Sequence, residues 1–185
     1  MREAIIFDTE FTTWEGAMQR RWSGPGEYRE LVQIGAVRIN ATTFDVLETM
    51  ELLTRPVRNP VLSDYFIKLT GITQEQLECE GVSFAAGLQR FMEFTKGLVP
   101  WSYGGDVDIL AENMRLNSMP VPKGWWTCEQ SNIAPWFHQH APETHKINSG
   151  RLALVVGAGQ VHAEHTGLAD SLSILAAAKL MVQQR

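Results

Sequence analysis

The chain opens with a short, continuously apolar run, residues 4–7, that leads straight into Asp8 and Glu10. Such a run is the pattern of a strand buried on both faces, and strands of that kind need a sheet covered by layers on either side. The acids then fall at the strand's C-terminal end. Residues 31–39 and 44–53 are also rich in β-formers and flank the polar turn Asn40-Ala41-Thr42-Thr43, the pattern of a hairpin.

Helical patterning takes over after the hairpin. Residues 63–69 end at Gly71, Thr73 with Gln76 forms a capping-box signature, and Ser83 opens an amphipathic stretch that stops at Gly97. Residues 98–103 are a fourth strand candidate and 106–116 the next helix. Ser149 is expected to cap a short helix that Gly157 and Gly159 break, and 168–182 reads as a strongly apolar final helix. Residues 11–29 read as a long loop, and 118–148, rich in Pro, Trp and His, carry no regular pattern. A hairpin followed by helices interleaved with strands gives an α/β class: a mixed central β-sheet with helices packed on it.

At 185 residues and 44% hydrophobic, the chain can bury one sizeable core, and a single domain over 1–185 is expected. The formal net charge of -5 excludes the overall basic footprint of a tight nucleic-acid binder, so a polyanion would have to be held locally. Arg20 with Arg21, Arg55 with Arg58 and Lys146 with Arg151 are candidates for that, or simply solvated pairs. Cys79 and Cys128 lie far apart without metal-ligand spacing, which suggests a reduced, intracellular protein. With no signal-peptide pattern and no apolar run near the ~20 residues of a membrane span, a cytoplasmic protein without membrane contact is expected.

Chemistry concentrates in three scattered pieces: F-D-T-E-F at 7–11, G-G-D-V-D-I-L at 104–110 and H-T-G-L-A-D at 165–170. Asp8 and Glu10 are two apart, so a strand continuing through them sends both carboxylates from one face. At ~4 Å and an effective dielectric near 20 their repulsion is about 4 kcal/mol, unless a cation intervenes. Oxygen ligands without cysteine favour Mg²⁺ or Mn²⁺ over Zn²⁺. Asp106 opens a helix with Ile109 and Leu110 turned to the core, and Asp108 competes with it for the same role. Asp170 falls in the first turn of the last helix. His165 precedes it on a loop as a candidate base, with His162 as the fallback. His138, His140 and His145, interrupted by Pro135 and Pro142, read as a surface segment rather than a zinc site.

Together these pieces resemble the DnaQ-like DEDDh class of 3′-5′ exonucleases, and within it the branch of histone-mRNA-type 3′ exoribonucleases. The resemblance rests on F-D-T-E at 7–10, L-V-Q-I-G-A-V at 31–37, L-T-G-I-T-Q at 69–74, Asp106 with its trailing Ile109-Leu110, and H-T-G-L-A-D-S at 165–171. It implies an RNase H-like fold in which Asp8, Glu10, Asp106 and Asp170 hold two divalent ions and His165 is the general base. It also implies hydrolysis of single-stranded RNA or DNA from the 3′ end to nucleoside monophosphates. Backbone amides around Thr9 to Phe11 would hold the terminal 3′ hydroxyl; Phe11 or Trp14 is open to two roles, stacking on the last base or packing in the core or a lid. An ordinary imidazole titrates near pH ~6.5, so activity is expected to rise with pH through that range. One departure is Gly105, which stands where the second motif usually has an aromatic. The alternative enzyme reading is a proofreading or processing module active only with a polymerase or RNA-binding partner, and a homodimer is also open. The non-enzyme reading is an inactive nucleic-acid-binding domain, which has no need of repelling carboxylates.

Overall fold

Three antiparallel strands form the spine: β1 (Glu3–Phe11), β2 (Leu31–Asn40) and β3 (Val46–Leu53), in the order β1-β2-β3. The computed structural model describes residues 2–159 and 165–184. β1 runs on past Phe7, so Asp8 and Glu10 lie inside the strand, not beyond it. In register, Asp8 faces Gly35 and Glu10 faces Gln33 on β2. Phe44, expected to open the second hairpin strand, instead sits in the turn with φ 61°, and its amide donates to the Asn40 carbonyl at 2.8 Å.

Helices follow in the order α1 (Asp64–Thr70), α2 (Gln74–Glu80), α3 (Phe84–Thr95), α4 (Asp106–Leu116), α5 (Cys128–Ser131), α6 (Ala134–His140), α7 (Leu152–Val155) and α8 (Gly167–Gln183). Caps explain several of their ends. Ser63 and Ser83 accept amide hydrogen bonds at the starts of α1 and α3, and the Thr73–Gln76 capping box opens α2. A second box, Thr127 with Gln130, opens α5 within the stretch where the sequence shows no regular pattern.

The expected fourth strand, residues 98–103, is reduced to single bridges. Trp101 pairs in parallel with Ile6, and Ser102 pairs in parallel with Asn132. Pro100 has no amide to extend a ladder on one side, and Gly104-Gly105 turns the chain away on the other. The sheet is mixed all the same, antiparallel on the β2 side of β1 and parallel on the Trp101 side.

Both faces of the sheet are covered, as the apolar opening run demands. Ile5 and Phe7 of β1 join Ile34 and Ala36 of β2 beneath Phe91 of α3 and Leu110 of α4. On the other face, Ile6, Val37 and Ile39 pack against Phe137 of α6, Leu152 of α7 and Ile174 and Ala177 of α8. Each fully buried Phe or Ile contributes about 1.5–3 kcal/mol relative to exposure, so these two layers dominate the stability of the fold. Among the described residues, no helix is long and apolar enough to cross a membrane.

Candidate active site

A carboxylate cluster forms where α8 meets the middle of the sheet. Oxygen atoms of Asp8, Glu10 and Asp170 all lie within 4.8 Å of one another. Asp8 and Glu10 reach it because alternate residues of β1 share a face. Asp170 reaches it because the first turn of α8 presses onto β2 at Gly35.

That close approach depends on two glycines. A Cβ at Gly35 would lie 1.9 Å from the Gly167 carbonyl carbon and the Leu168 nitrogen, and a Cβ at Gly167 would lie 2.6 Å from the Gly35 nitrogen. Side chains on either would lift α8 and carry Asp170 away from Asp8. Gln33 fixes the same junction, since its Oε1 accepts from the Gly167 amide at 2.8 Å while its Nε2 donates to Glu51 at 3.1 Å. Thr166, the N-cap residue of α8, accepts from the Ala169 amide.

Asp170 is held at both oxygens. The Ser149 hydroxyl donates to Oδ2 at 3.0 Å and the His165 amide to Oδ1 at 3.1 Å. Ser149 was expected to cap the short helix. Asn148 caps that turn instead, accepting from the Arg151 amide, which leaves the serine hydroxyl for the acid.

Asp106 is buried at the first turn of α4, and Asp108 is exposed. Its Oδ1 accepts from the Thr9 amide at 3.1 Å and the Thr9 hydroxyl at 2.6 Å. It stands outside the 4.8 Å trio but close enough to act on it electrostatically. Of the two competing aspartates, the fold turns Asp106 to the cluster. His165 lies just before the Thr166 cap, partly exposed and in the left-handed region at φ 68°. His162, the fallback, lies outside the described residues.

Burial and like charge dominate the electrostatics. Burial pushes the Asp8 carboxyl well above the ordinary range, and the charges of Asp106, Asp170 and Glu10 push it further, against a hydrogen bond from Ser149. Glu10 is raised from 4.5 to about 8 by burial, then by Asp170 and Asp106. Burial also raises Asp106, with the Thr9 and Ser102 hydroxyls opposing it. An all-oxygen, mutually repelling donor set fits a hard divalent cation, which would relieve the repulsion and hold the acids ionised.

Phe11 still belongs to β1, so the loop expected over 11–29 begins at Thr12. The Thr12 amide donates to the Glu30 carbonyl at 2.9 Å, and the Ser63 hydroxyl ties the loop to α1 through the Thr13 carbonyl. Phe11 packs on the α3–α4 core with the Trp22 ring 5.5 Å away, and Trp14 lies at the loop's first turn. Thr9, expected at the substrate, has its amide and hydroxyl engaged by Asp106. Three of the basic residues expected to be solvated or to meet phosphate have intramolecular partners: Arg20 pairs with Glu27, Arg55 reaches the Leu77 and Glu78 carbonyls, and Arg58 lies over Tyr28. His138 stacks on His145 at 4.0 Å and meets the Tyr103 hydroxyl at 2.9 Å.

Sequence reasoning missed Ser149, Gln33 and Gly35 as parts of the site. Gly35 alone left a signal, a glycine inside an otherwise apolar strand, which often marks close backbone approach.

Comparison with known proteins agrees with this geometry. A model of the exonuclease family matches residues 5–177. The 3′-5′ exoribonuclease 1 of Homo sapiens is 28% identical over 140 residues, 68% of this chain and 38% of its own length. The 3′-5′ exonuclease eri1 of Schizosaccharomyces pombe is 28% identical over 143 residues, 74% of this chain and 43% of its own. The chain thus spans less than half the length of these relatives. Among solved structures, the nuclease domain of 3′hExo, a DEDDh family member bound to rAMP, superposes with a TM-score of 0.78 at 23% identity, covering 98% of this chain and 92% of that one. A full-length 3′-exonuclease gives 0.81 at 25% identity, covering 98% and 60%. The fold is therefore the RNase H-like α/β fold of the DEDDh exonucleases, and the chain belongs to the exonuclease family.

Proposed function

We propose that this chain is a divalent-metal-dependent 3′-5′ exonuclease that removes nucleoside monophosphates from the 3′ ends of single-stranded RNA. The observation that carries this reading is the convergence of Asp8, Glu10 and Asp170 within 4.8 Å, with Asp106 beside them. Family membership and the names of the relatives, exoribonucleases acting 3′ to 5′, support it. The choice of RNA draws on the same relatives and on a structural neighbour described as recognising the 3′ end of a histone mRNA stem-loop.

In this reading Asp8, Glu10, Asp106 and Asp170 would hold two ions, Mg²⁺ or Mn²⁺, with the close trio serving one and Asp106, outside it, serving the second. When bound, the ions polarise the attacking water and neutralise charge on the scissile phosphate and its leaving oxygen. His165 accepts the water's proton, a role suited to a loop histidine tied through its own amide to Asp170. Ser149 and Gln33 keep Asp170 in place, and the packed sheet beneath holds Asp8 and Glu10 rigid. A reducing, cytoplasmic setting belongs to the same proposal, since Cys79 and Cys128 are both free thiols.

The test is side-by-side incubation of 5′-labelled single-stranded RNA and DNA, each with a free or a blocked 3′ hydroxyl. Stepwise shortening of free-ended RNA, faster than DNA, is expected. Equal degradation of blocked ends, or internal cuts, would refute the 3′-end reading.

A further inference from the structure

On the side away from β2, β1 loses its neighbour where the acid cluster begins. The Phe7 amide donates to the Trp101 carbonyl at 2.8 Å. Two residues on, the Thr9 amide points the same way, because amides alternate sides along a strand. By then the adjoining segment has left the sheet through Gly104 and Gly105, and among the described residues no backbone carbonyl accepts from the Thr9 amide. Asp106 takes that place. Its Oδ1 accepts the Thr9 amide at 3.1 Å and the Thr9 hydroxyl at 2.6 Å, in a setting where Thr9 is 5% and Asp106 8% exposed.

This arrangement separates Asp106 from the other acids in kind. Asp8, Glu10 and Asp170 converge within 4.8 Å, whereas Asp106 is tethered from one side of β1 and stands outside that group. Its carboxylate cannot turn without breaking two hydrogen bonds from a single residue of a buried strand. Gly105 at the N-cap has no side chain to fix the first turn, so besides Thr9 the carboxylate is steadied by the Ser102 hydroxyl and the backbone amide of Asp106 itself.

We propose that Thr9 is a positioning residue, whose hydroxyl and amide together hold Asp106 ready as the ligand that distinguishes the second ion site from the first. The proposal rests on the two-ion reading given above. It assigns Thr9 to the protein's own acid and not to the substrate.

Binding of Mn²⁺ to the purified chain, followed without substrate by the electron paramagnetic resonance signal of the free ion, tests it. Wild type should take up two ions. Thr9→Val keeps the β-branched shape but removes the hydroxyl; it should leave the tighter ion within about twofold and weaken the other by about 10–100-fold, the usual effect of losing a partner behind a metal ligand. Thr9→Ser should restore the second ion to within about threefold. If Thr9→Val fails to fold, Thr9→Ala supports the same comparison. Unchanged uptake of both ions in Thr9→Val, equal loss of both, or a Thr9→Ser as impaired as Thr9→Val would each overturn the assignment. Failure of wild type itself to bind a second ion would instead refute the two-ion reading, and this inference with it; that outcome is visible before any variant is compared.

Discussion

Three local devices place the four acids of the site. Strand alternation sets Asp8 and Glu10, a tether from Thr9 sets Asp106, and a helix turn flanked by Ser149 and the His165 amide sets Asp170. His165 should therefore be separable from metal binding. His165→Ala is expected to cut kcat by about 10²–10⁴ while Mn²⁺ affinity stays near wild type; an equal fall in both would show that the histidine supports the site and does not carry the proton. Ser149→Ala removes a donor to Asp170 and should weaken Mn²⁺ binding by about tenfold, read by the same titration. The acids that converge were legible in the sequence because their residue types and order are themselves the chemistry. The partners of Thr9 and Ser149 were not. A hydroxyl's partner is set by which element folds next to it, and nothing in the residues around Ser149 distinguishes a helix cap from a donor to an acid 21 positions away.

The junction between β2 and α8 decides whether the site exists. Gly35→Ala places a methyl 1.9 Å from the Gly167 carbonyl carbon and the Leu168 nitrogen, backbone atoms that cannot swing aside. We expect a loss of about 3 kcal/mol or more in denaturant unfolding, together with weaker Mn²⁺ binding. A variant with wild-type stability and wild-type metal affinity would contradict the role given to this contact. Elements bounded by caps and by periodicity, such as α1, α2 and α3, could be read from sequence because Ser63, the Thr73–Gln76 box and Ser83 act locally. The fourth strand was over-read because its β-forming residues cannot reveal that it pairs at one rung on each side. Residues 118–148 resisted for the opposite reason. Their helices are four and seven residues long, too short for periodicity to show, and depend on contacts such as Phe137 with the α8 layer.

Across the whole molecule, the acid cluster sets a pH dependence of stability. Glu10 titrates at about 8 in the fold and near 4.5 as a free side chain, and Asp8 is raised in the same direction. Between those values the folded protein binds more protons than the unfolded one. The metal-free protein is then most favoured below pH 4.5 with respect to these groups and loses that contribution as pH rises towards about 8. Melting temperature should fall over this window in EDTA. Saturating Mn²⁺ should reduce the slope, because an ion that binds only the folded, ionised site adds stability as pH rises, and Glu10→Gln should flatten the slope in EDTA. A metal-free melting temperature that climbs with pH across the window, with no effect of Glu10→Gln, would show that the acids are not the stressed group described here.

A time course on 5′-labelled single-stranded RNA with Mg²⁺, comparing wild type with Asp8→Ala, decides whether these acids run a metal-dependent hydrolysis from the 3′ end. Wild type should give a ladder of shortening products and release nucleoside monophosphates, an activity abolished by EDTA and absent in Asp8→Ala. Full activity in Asp8→Ala, or hydrolysis undiminished by excess EDTA, would contradict it.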